Sequence, residues 1–420
     1  MSGFENVDYF TELGLVSDPH PYFSYLRSQG PVTRLPHRNV VAVTGLEEGF
    51  AVELDHDNFS SINSATGPLP PLPFEPSGTD ISEQLAAHRP EMPYGSMLVA
   101  MDPPDHLRVR RLLLGLLTAK RFKENEEHMH GLADRLIDSF INREGIEVIS
   151  DYSHPFATLA IADLMGVPEE DHADILSVIG SLPGQIGGDA PPENNPLVQI
   201  GMKFYGYIEE RRRTNRDDVM SRLANATYPD GTLPALVDIV GLAALLFGAG
   251  QDTTVRLIAA MIKTLCELPD IQDQLATNPS QIPDFVEEVL RLDGPTKAHF
   301  RLAKRKAKVG EIEVEPGTTV MLIPPAMNRD PRRFDEPDTF RLGRKNVRDH
   351  MSFGRGVHTC IGAQLARAEA RLSLEKLLRR VKNIRLNEDN HGPVGARKYD
   401  YELNYTQRAL RSIHVLFDRV

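Results

Sequence analysis

Phe353-Gly354-Arg355-Gly356-Val357-His358-Thr359-Cys360-Ile361-Gly362 sets one cysteine at the end of a glycine-punctuated loop, directly before a helical pattern that starts at Ile361. A sulfur there receives the positive end of a helix macrodipole and the N–H groups of a first turn. Those surroundings hold it as the thiolate, the form a metal ligand must take. Gly354 and Gly356 let the backbone turn sharply and lie flat against something large. The competing reading is a buried structural cysteine, the usual fate of a free thiol. The rest of the chain has to decide between them.

Composition sets the outer bounds. The 420 residues can bury a core that encloses a cofactor. No repeat or low-complexity linker cuts the chain, and its length is only a prior on the number of domains. Lys and Arg number 47 against 59 Asp and Glu, a formal net charge of −12, which speaks against nucleic acid as a partner. The second cysteine, Cys266, sits in the apolar helical pattern Met261-Ile262-Lys263-Thr264-Leu265-Cys266 and reads as a small core residue. Two cysteines make no disulfide framework, and a reducing, cytoplasmic compartment is the expectation. The start, Met1-Ser2-Gly3-Phe4-Glu5, lacks the basic and apolar regions of a signal peptide. The longest apolar run, Ile239 to Gly250, falls short of the ~20 residues a bilayer span needs. A soluble chain outside the membrane is expected.

Helical periodicity dominates, over Asp105 to Leu117, Asn125 to Phe140, Tyr152 to Leu164, Glu169 to Ser181, Leu197 to Arg213, Ala235 to Glu267, Pro283 to Leu292 and Ile361 to Arg380. Strand signals are short. Glu311 to Val314 and Thr318 to Leu322 flank Glu315-Pro316-Gly317, which reads as a hairpin turn. Weaker strands are read at Tyr401 to Tyr405 and Ser412 to Phe417. The fold class is therefore mainly α with small β-sheets, an α+β arrangement. Asn63 to Pro93 and Pro183 to Pro196 are irregular, either plain surface loops or mobile covers over a buried site.

Within the long apolar helix, Ala249-Gly250-Gln251-Asp252-Thr253-Thr254 follows Gly248. Each interior glycine costs ~1 kcal/mol against Ala, and the lost side chains leave room for a flat cofactor and a small ligand. Thr253 can donate to the carbonyl four residues back and open the helix locally. Asp252 offers a proton source to a dry site. The alternative is a small-residue helix contact. Glu288 and Arg291 lie three apart on one helix face, where they can pair. His106 and Arg110, one turn apart in Asp102-Pro103-Pro104-Asp105-His106-Leu107-Arg108-Val109-Arg110-Arg111, share a face as well.

Together these stretches identify a resemblance. The spacing Phe-Gly-x-Gly-x-His-x-Cys-x-Gly resembles the haem-thiolate loop of the cytochrome P450 family, and Asp252-Thr253 resembles the acid–alcohol pair of its long distal helix. Glu288-Val289-Leu290-Arg291 is similar to the family's Glu-x-x-Arg signature, though Thr339 in Pro337-Asp338-Thr339-Phe340 stands where a third, basic member is usual. Asn328-Arg329-Asp330-Pro331, Asp18-Pro19-His20-Pro21 and Phe59-Ser60-Ser61 match soluble bacterial members, with Met327 in place of the more usual Ala. The resemblance spans about residues 18 to 417.

What it implies is specific. The fold would be a single domain over residues 1–420, the family's triangular helical body, with haem b between the long distal helix and the Cys-loop helix. Cys360 would be the iron ligand. His106, Arg110, Arg301 and His358 would meet the anionic propionates, where basic partners are required. Phe353, Gly354, Ala249 and Gly250 would lie against the cofactor, and Leu98, Leu245, Leu246, Ala249 and Phe300 against the substrate. Asp252 and Thr253 would supply protons to bound O2. The reaction would be insertion of one oxygen atom into a small or medium hydrophobic substrate such as a terpenoid, steroid, fatty acid or aromatic compound. Electrons would come from an iron–sulfur ferredoxin and its NAD(P)H-dependent reductase, because two cysteines cannot hold a four-thiolate cluster. Arg108, Arg111 and Arg355 could form a basic patch for that acidic donor. A monomer is expected, with no nucleic-acid or membrane partner.

Other classes fit less well. A peroxide-driven peroxygenase often lacks the acid–alcohol pair, and a haem-thiolate sensor has no use for it. A nicotinamide enzyme would need a third glycine after Gly354 and Gly356 and a buried strand before them. A zinc site would need clustered ligands, and no cysteine neighbours Cys360.

Overall fold

The computed structural model describes residues 3–116, 119–180 and 196–420. In chain order its first helices are α1 Leu13–Ser17, α2 His20–Gln29, α3 Leu46–Leu54, α4 Ser82–His88 and α5 Asp105–Arg110. Next come α6 Ala119–Phe140, α7 His154–Met165, α8 His172–Gly180, α9 Pro196–Arg213, α10 Val219–Ala224 and α11 Leu236–Glu267. The last are α12 Pro269–Thr277, α13 Ile282–Asp293, α14 Pro324–Met327, α15 Ala363–Leu378 and α16 Glu388–His391. The strands are β1 Val32–Arg34, β2 Val40–Val43, β3 Phe59–Ser60, β4 Gly145–Glu147 and β5 His299–Ala303. After them come β6 Ala307–Val309, β7 Ile312–Val314, β8 Thr319–Leu322, β9 Val381–Leu386 and β10 His414–Arg419.

These elements gather into two compact units. The first takes Met1–Leu107, Leu290–Ile361 and Tyr401–Arg408. Its centre is a five-stranded sheet in the order β1-β2-β8-β5-β3. β2 and β8 run parallel and are buried at every position. A parallel strand covered on both faces reads as an unbroken apolar run, which is why Val40-Val41-Ala42-Val43 shows no alternation. The pleat still sorts it. Val40, Ala42, Phe300 and Met321 join the aromatic cluster of Tyr9, Tyr22 and Phe23. Val41, Val43, Val320 and Leu322 join Leu46, Phe59 and Met327 in a separate cluster.

The expected hairpin across Glu315-Pro316-Gly317 does not form. The turn is real, with the Thr318 N–H on the Glu315 carbonyl at 3.1 Å, and Gly317 has a φ of 83°. It passes the chain out of one sheet and into another. β7 pairs with β6, and β8 lies between β2 and β5. Buried Thr319–Leu322 has two partners to satisfy, which a two-stranded ribbon cannot supply. Tyr401–Tyr405 is not a strand: Tyr405 packs on the first cluster, against Phe10 and Phe300, while Arg408 lies over the Tyr401 ring.

The second unit takes Arg108–Val289, Gly362–Asp400 and Ala409–Val420. Here α11 packs against α7, α9 and α15, and α6 packs against α7 and α15. A sheet in the order β4-β10-β9 completes it. α7 ends at Gly166, whose φ of 84° lets its N–H reach the carbonyls of Ala162 and Asp163. By length and composition α11 is long and apolar enough to cross a membrane, with a mean hydropathy of 1.3, so the expectation that no segment reaches that length needs amending. Its buried residues, from Ile239 to Leu265, are committed to neighbouring helices. The expected helices appear with shifted ends: the one read from Asp105 continues as a 3-10 turn, Arg111–Leu113, and the one read from Ile361 starts at Ala363. Within Asn63 to Pro93 the chain forms α4; the stretch Pro183 to Pro196 lies almost wholly outside the described residues.

Candidate functional site

The Cys loop belongs to the first unit. Cys360 is exposed at its end, and its N–H donates to the Phe353 carbonyl at 2.9 Å, which closes the loop. Gly354 and Gly356 have φ of 65° and 67°, the left-handed region. What presses against them is the protein itself. A Cβ on Gly356 would lie 3.0 Å from the Glu53 carbonyl oxygen, and one on Gly354 3.2 Å from the Glu53 carboxylate. The loop glycines thus seat the end of α3.

Basic and imidazole groups collect around this loop. His358 Nε2 is 3.0 Å from Ser61 Oγ, and its ring centre lies 4.0 Å from that of buried His106. Asp102 accepts from the Ser61 N–H at 2.7 Å and from the Ser60 hydroxyl, which fixes the segment that holds His358. Arg301, on β5, donates to the Phe300 carbonyl at 2.8 Å and to Glu53 Oε1 at 3.0 Å. His299 Nε2 is 2.7 Å from the same Oε1, and the Arg355 N–H donates to Oε2. Burial would raise the Glu53 pKa, but His299, Arg301 and the hydrogen bonds override it and hold the carboxyl at about 2. Arg110 closes α5, one turn after His106.

The partner of Arg291 left open by Thr339 is a set of carbonyls. Buried Arg291 donates to Asn328 at 2.9 Å, Pro337 at 2.6 Å and Thr339 at 3.2 Å, and sits 5.2 Å over the Phe334 ring. Arg344 donates to the same Thr339 carbonyl at 3.0 Å, so Thr339 serves through its backbone and a later arginine completes the cluster. Phe300 is not a substrate wall. It is wholly buried among Phe10, Tyr405 and Gly67, and belongs to the core. Leu98, on the 3-10 turn Leu98–Ala100, is nearly buried too.

The second unit carries the acid–alcohol pair. Thr253 Oγ donates to the Ala249 carbonyl at 2.7 Å, as its position predicts, yet α11 stays continuous through it. Asp252 is held at both oxygens by Arg256, from Nε and from an amino group, each at 2.8 Å. Any proton delivery by Asp252 has to begin by loosening that fork. Ala249 is exposed, and Leu245 and Leu246 are half-buried one turn earlier. Gly250 has a packing explanation instead of a cofactor one: a Cβ there would meet Ile161 of α7 at 3.3 Å.

Glu53 escaped the sequence reading, and so did a second carboxylate. Glu369, on α15, is wholly buried and accepts from the Thr254 hydroxyl at 2.8 Å. Burial pushes its pKa up to about 8 against the lowering effect of that hydrogen bond. Its signal was available, since it lies four residues after Leu365 and three before Leu372 on the apolar stripe. Cys266, expected as a small core residue, is half-buried, and burial raises its pKa to about 12, so it stays a thiol.

An exposed cysteine closing a glycine turn, with guanidinium and imidazole groups beside it, fits a haem held by thiolate and by its anionic edge; the site defines a haem-thiolate protein. The comparisons agree. The family model described as Cytochrome P450 matches residues 202–391. Cytochrome P450 CYP150A6 of Mycobacterium marinum, solved substrate-free, is 50% identical, covers 100% of both chains and superposes with a TM-score of 0.94. The putative cytochrome P450 123 of Mycobacterium tuberculosis is 31% identical over 379 residues, 89% of each chain. CYP109E1 of Bacillus megaterium, solved with corticosterone, is 25% identical with a TM-score of 0.79, covering 96% of this chain and 99% of that one. The chain belongs to the cytochrome P450 family in its bacterial form. It is a monooxygenase that binds haem b through a cysteine thiolate.

Proposed function

We propose that this enzyme oxidises a small or medium hydrophobic substrate, drawing its electrons from a ferredoxin and an NAD(P)H-dependent ferredoxin reductase. The observation that carries the reading is on α11: half-buried Leu245 and Leu246 precede exposed Ala249, and Asp252 and Thr253 follow directly. One short stretch supplies an apolar wall, an exposed position with only a methyl side chain, and two proton-handling groups. Haem b, when bound, supplies the activation of O2 and the insertion of one oxygen atom.

The chain's own residues do the rest. Cys360 is assigned as the iron ligand, with its N–H bond to Phe353 fixing where the sulfur sits. Arg301, His358, His106 and Arg110 are assigned to the propionates. Thr253 can swing its hydroxyl from the Ala249 carbonyl to hand on a proton. Asp252, once released by Arg256, can reprotonate it. Glu369 keeps its proton near neutral pH and, in the resting arrangement, accepts a hydrogen bond from the Thr254 hydroxyl. The same reading makes the enzyme a soluble, cytoplasmic monomer, checked by sedimentation.

Spectral titration of the purified protein against terpenoids, steroids, fatty acids and aromatic compounds tests the substrate class. Steroids belong in that panel because CYP109E1 was solved with corticosterone. A saturating shift with one hydrophobic class, and product only when ferredoxin and reductase are both present, is the expected outcome. Turnover with peroxide alone at the same rate would replace this reading with a peroxygenase.

A further inference from the structure

We infer that Glu53 is a positioning residue, one carboxylate that ties the Cys360 loop to the strand bearing Arg301 and sets how much of that guanidinium's charge reaches an anionic cofactor edge. The inference rests on the assignment of Cys360 and Arg301 to haem. Glu53 stands in the last turn of α3, where its side chain is only 2% exposed. A buried carboxylate needs every lone pair answered. Oε1 takes His299 at 2.7 Å and Arg301 at 3.0 Å, and Oε2 takes the backbone N–H of Arg355. Three parts of the first unit therefore meet on one side chain: helix α3, strand β5 and the Cys loop.

The fit is mutual. Gly354 and Gly356 leave only the space that Glu53 fills, so the loop cannot take ordinary side chains there while the helix end stays in place. Arg301 spends one amino group on Glu53 and the other on the Phe300 carbonyl. Its orientation is set before any ligand arrives, and part of its charge is already answered. A fixed negative charge close to a redox cofactor opposes the uptake of an electron. Removing it favours the reduced form, and more so in a site shielded from water.

Two variants of the haem-loaded enzyme separate charge from shape, read by potentiometric titration and by the reduced carbon monoxide spectrum. Glu53→Gln loses the charge and nearly keeps the shape, with one oxygen left to accept where the carboxylate had two. Its reduction equilibrium is expected to shift about tenfold toward the ferrous form, which for one electron is about 59 mV. Glu53→Asp keeps the charge but cannot span from α3 to both partners. Its potential is expected to stay within about twofold of the native equilibrium, while the red-shifted Soret band is partly lost as the loop loosens. A native potential in Glu53→Gln with only a lowered melting temperature would reduce Glu53 to a structural residue and overturn the inference. If Glu53→Gln takes up no haem, Glu53→Asp decides: a native potential with partial band loss supports it, and an unchanged band or failure to bind haem overturns it. Cys360→Ala tests the underlying reading separately, because it removes the red-shifted band whatever stands at position 53.

Discussion

Single carboxylates and hydroxyls decide the chemistry, and two of them make opposite demands on their surroundings. Thr253 is bonded to the Ala249 carbonyl in the resting helix, so replacing it with Ala removes no packing group of consequence. Thr253→Ala is expected to bind substrate as before while diverting electrons from product to peroxide, with the proton-transfer step slowed ~10²–10⁴-fold. Product formed per NAD(P)H consumed is the measurement, and unchanged coupling would remove Thr253 from proton handling. Glu369 makes its mark on stability. Its folded-state pKa of about 8 lies above the ordinary value of 4.5, so between those limits the folded chain holds a proton that the unfolded chain has lost. Stability contributed by that proton is complete below pH ~4.5 and disappears as pH rises through ~8. Glu369→Gln is expected to flatten the fall in unfolding free energy from pH ~5 to pH ~8, read by urea titration at several pH values. An equally steep fall in both proteins would contradict the buried, protonated state. As candidates, Cys360, Asp252 and Thr253 were conspicuous in sequence because their neighbours break helix habits: glycines, and an acid beside a hydroxyl in an apolar run. Glu53 and Glu369 were not, because an isolated Glu in a helix ordinarily faces water. Their one signal is position, since each falls on its helix's apolar stripe, Glu53 after Leu46 and Gly49, Glu369 between Leu365 and Leu372.

At the scale of elements, long amphipathic helices announced themselves and short buried strands did not. α11 and α9 were read nearly to the residue, because three or more turns of 3.6-residue periodicity leave little choice. β2 and β5 went unseen: the unbroken four-residue apolar run of β2 fits a strand or a piece of helix equally well, and His299-Phe300-Arg301-Leu302-Ala303 of β5 is too short for its polar–apolar alternation to stand out. The hairpin at Gly317 failed for a related reason. Turn chemistry is local, but the choice of partner for β8 depends on β2, which lies far away in sequence. Helix ends depend on local geometry and can be tested directly. Gly166 closes α7 at a φ of 84°, and a Cβ there would stand 2.6 Å from the Cβ of Asp218, whose carboxylate caps α10. Gly166→Ala is expected to cost ~2 kcal/mol or more, combining left-handed strain with the displaced cap. Gly131→Ala is the control. It lies inside α6, where a Cβ would meet only the end of Arg135 at 3.5 Å, and a gain of up to ~1 kcal/mol is expected. Urea unfolding of both variants reads the difference, and a Gly166→Ala protein as stable as native would show that the cap is not where α7 is decided.

For the whole molecule the relevant quantity is charge. Under the proposed function, a net −12 repels an acidic ferredoxin at long range, so productive encounter depends on local positive groups that outweigh the global field at close approach. The three arginines expected to provide them are not equivalent. Arg108 pairs with Asp230 at 3.3 Å and stacks 3.7 Å over the Tyr228 ring, so a neighbouring carboxylate already offsets its charge. Arg355 lies 4.7 Å over the Phe50 ring, with its backbone committed to Glu53. Arg111, in the 3-10 turn after α5, is exposed to solvent. That makes it the best placed of the three to act at a distance, through its charge and with no packing to lose. Arg111→Glu is expected to slow ferredoxin-driven reduction several-fold in ~10 mM salt, where the screening length is ~30 Å. The gap should close near ~1 M, where screening falls to ~3 Å. Stopped-flow reduction across that series is the measurement. Parallel rates for the two proteins at every ionic strength would show that the donor does not feel Arg111, and would leave its approach to groups nearer the Cys loop.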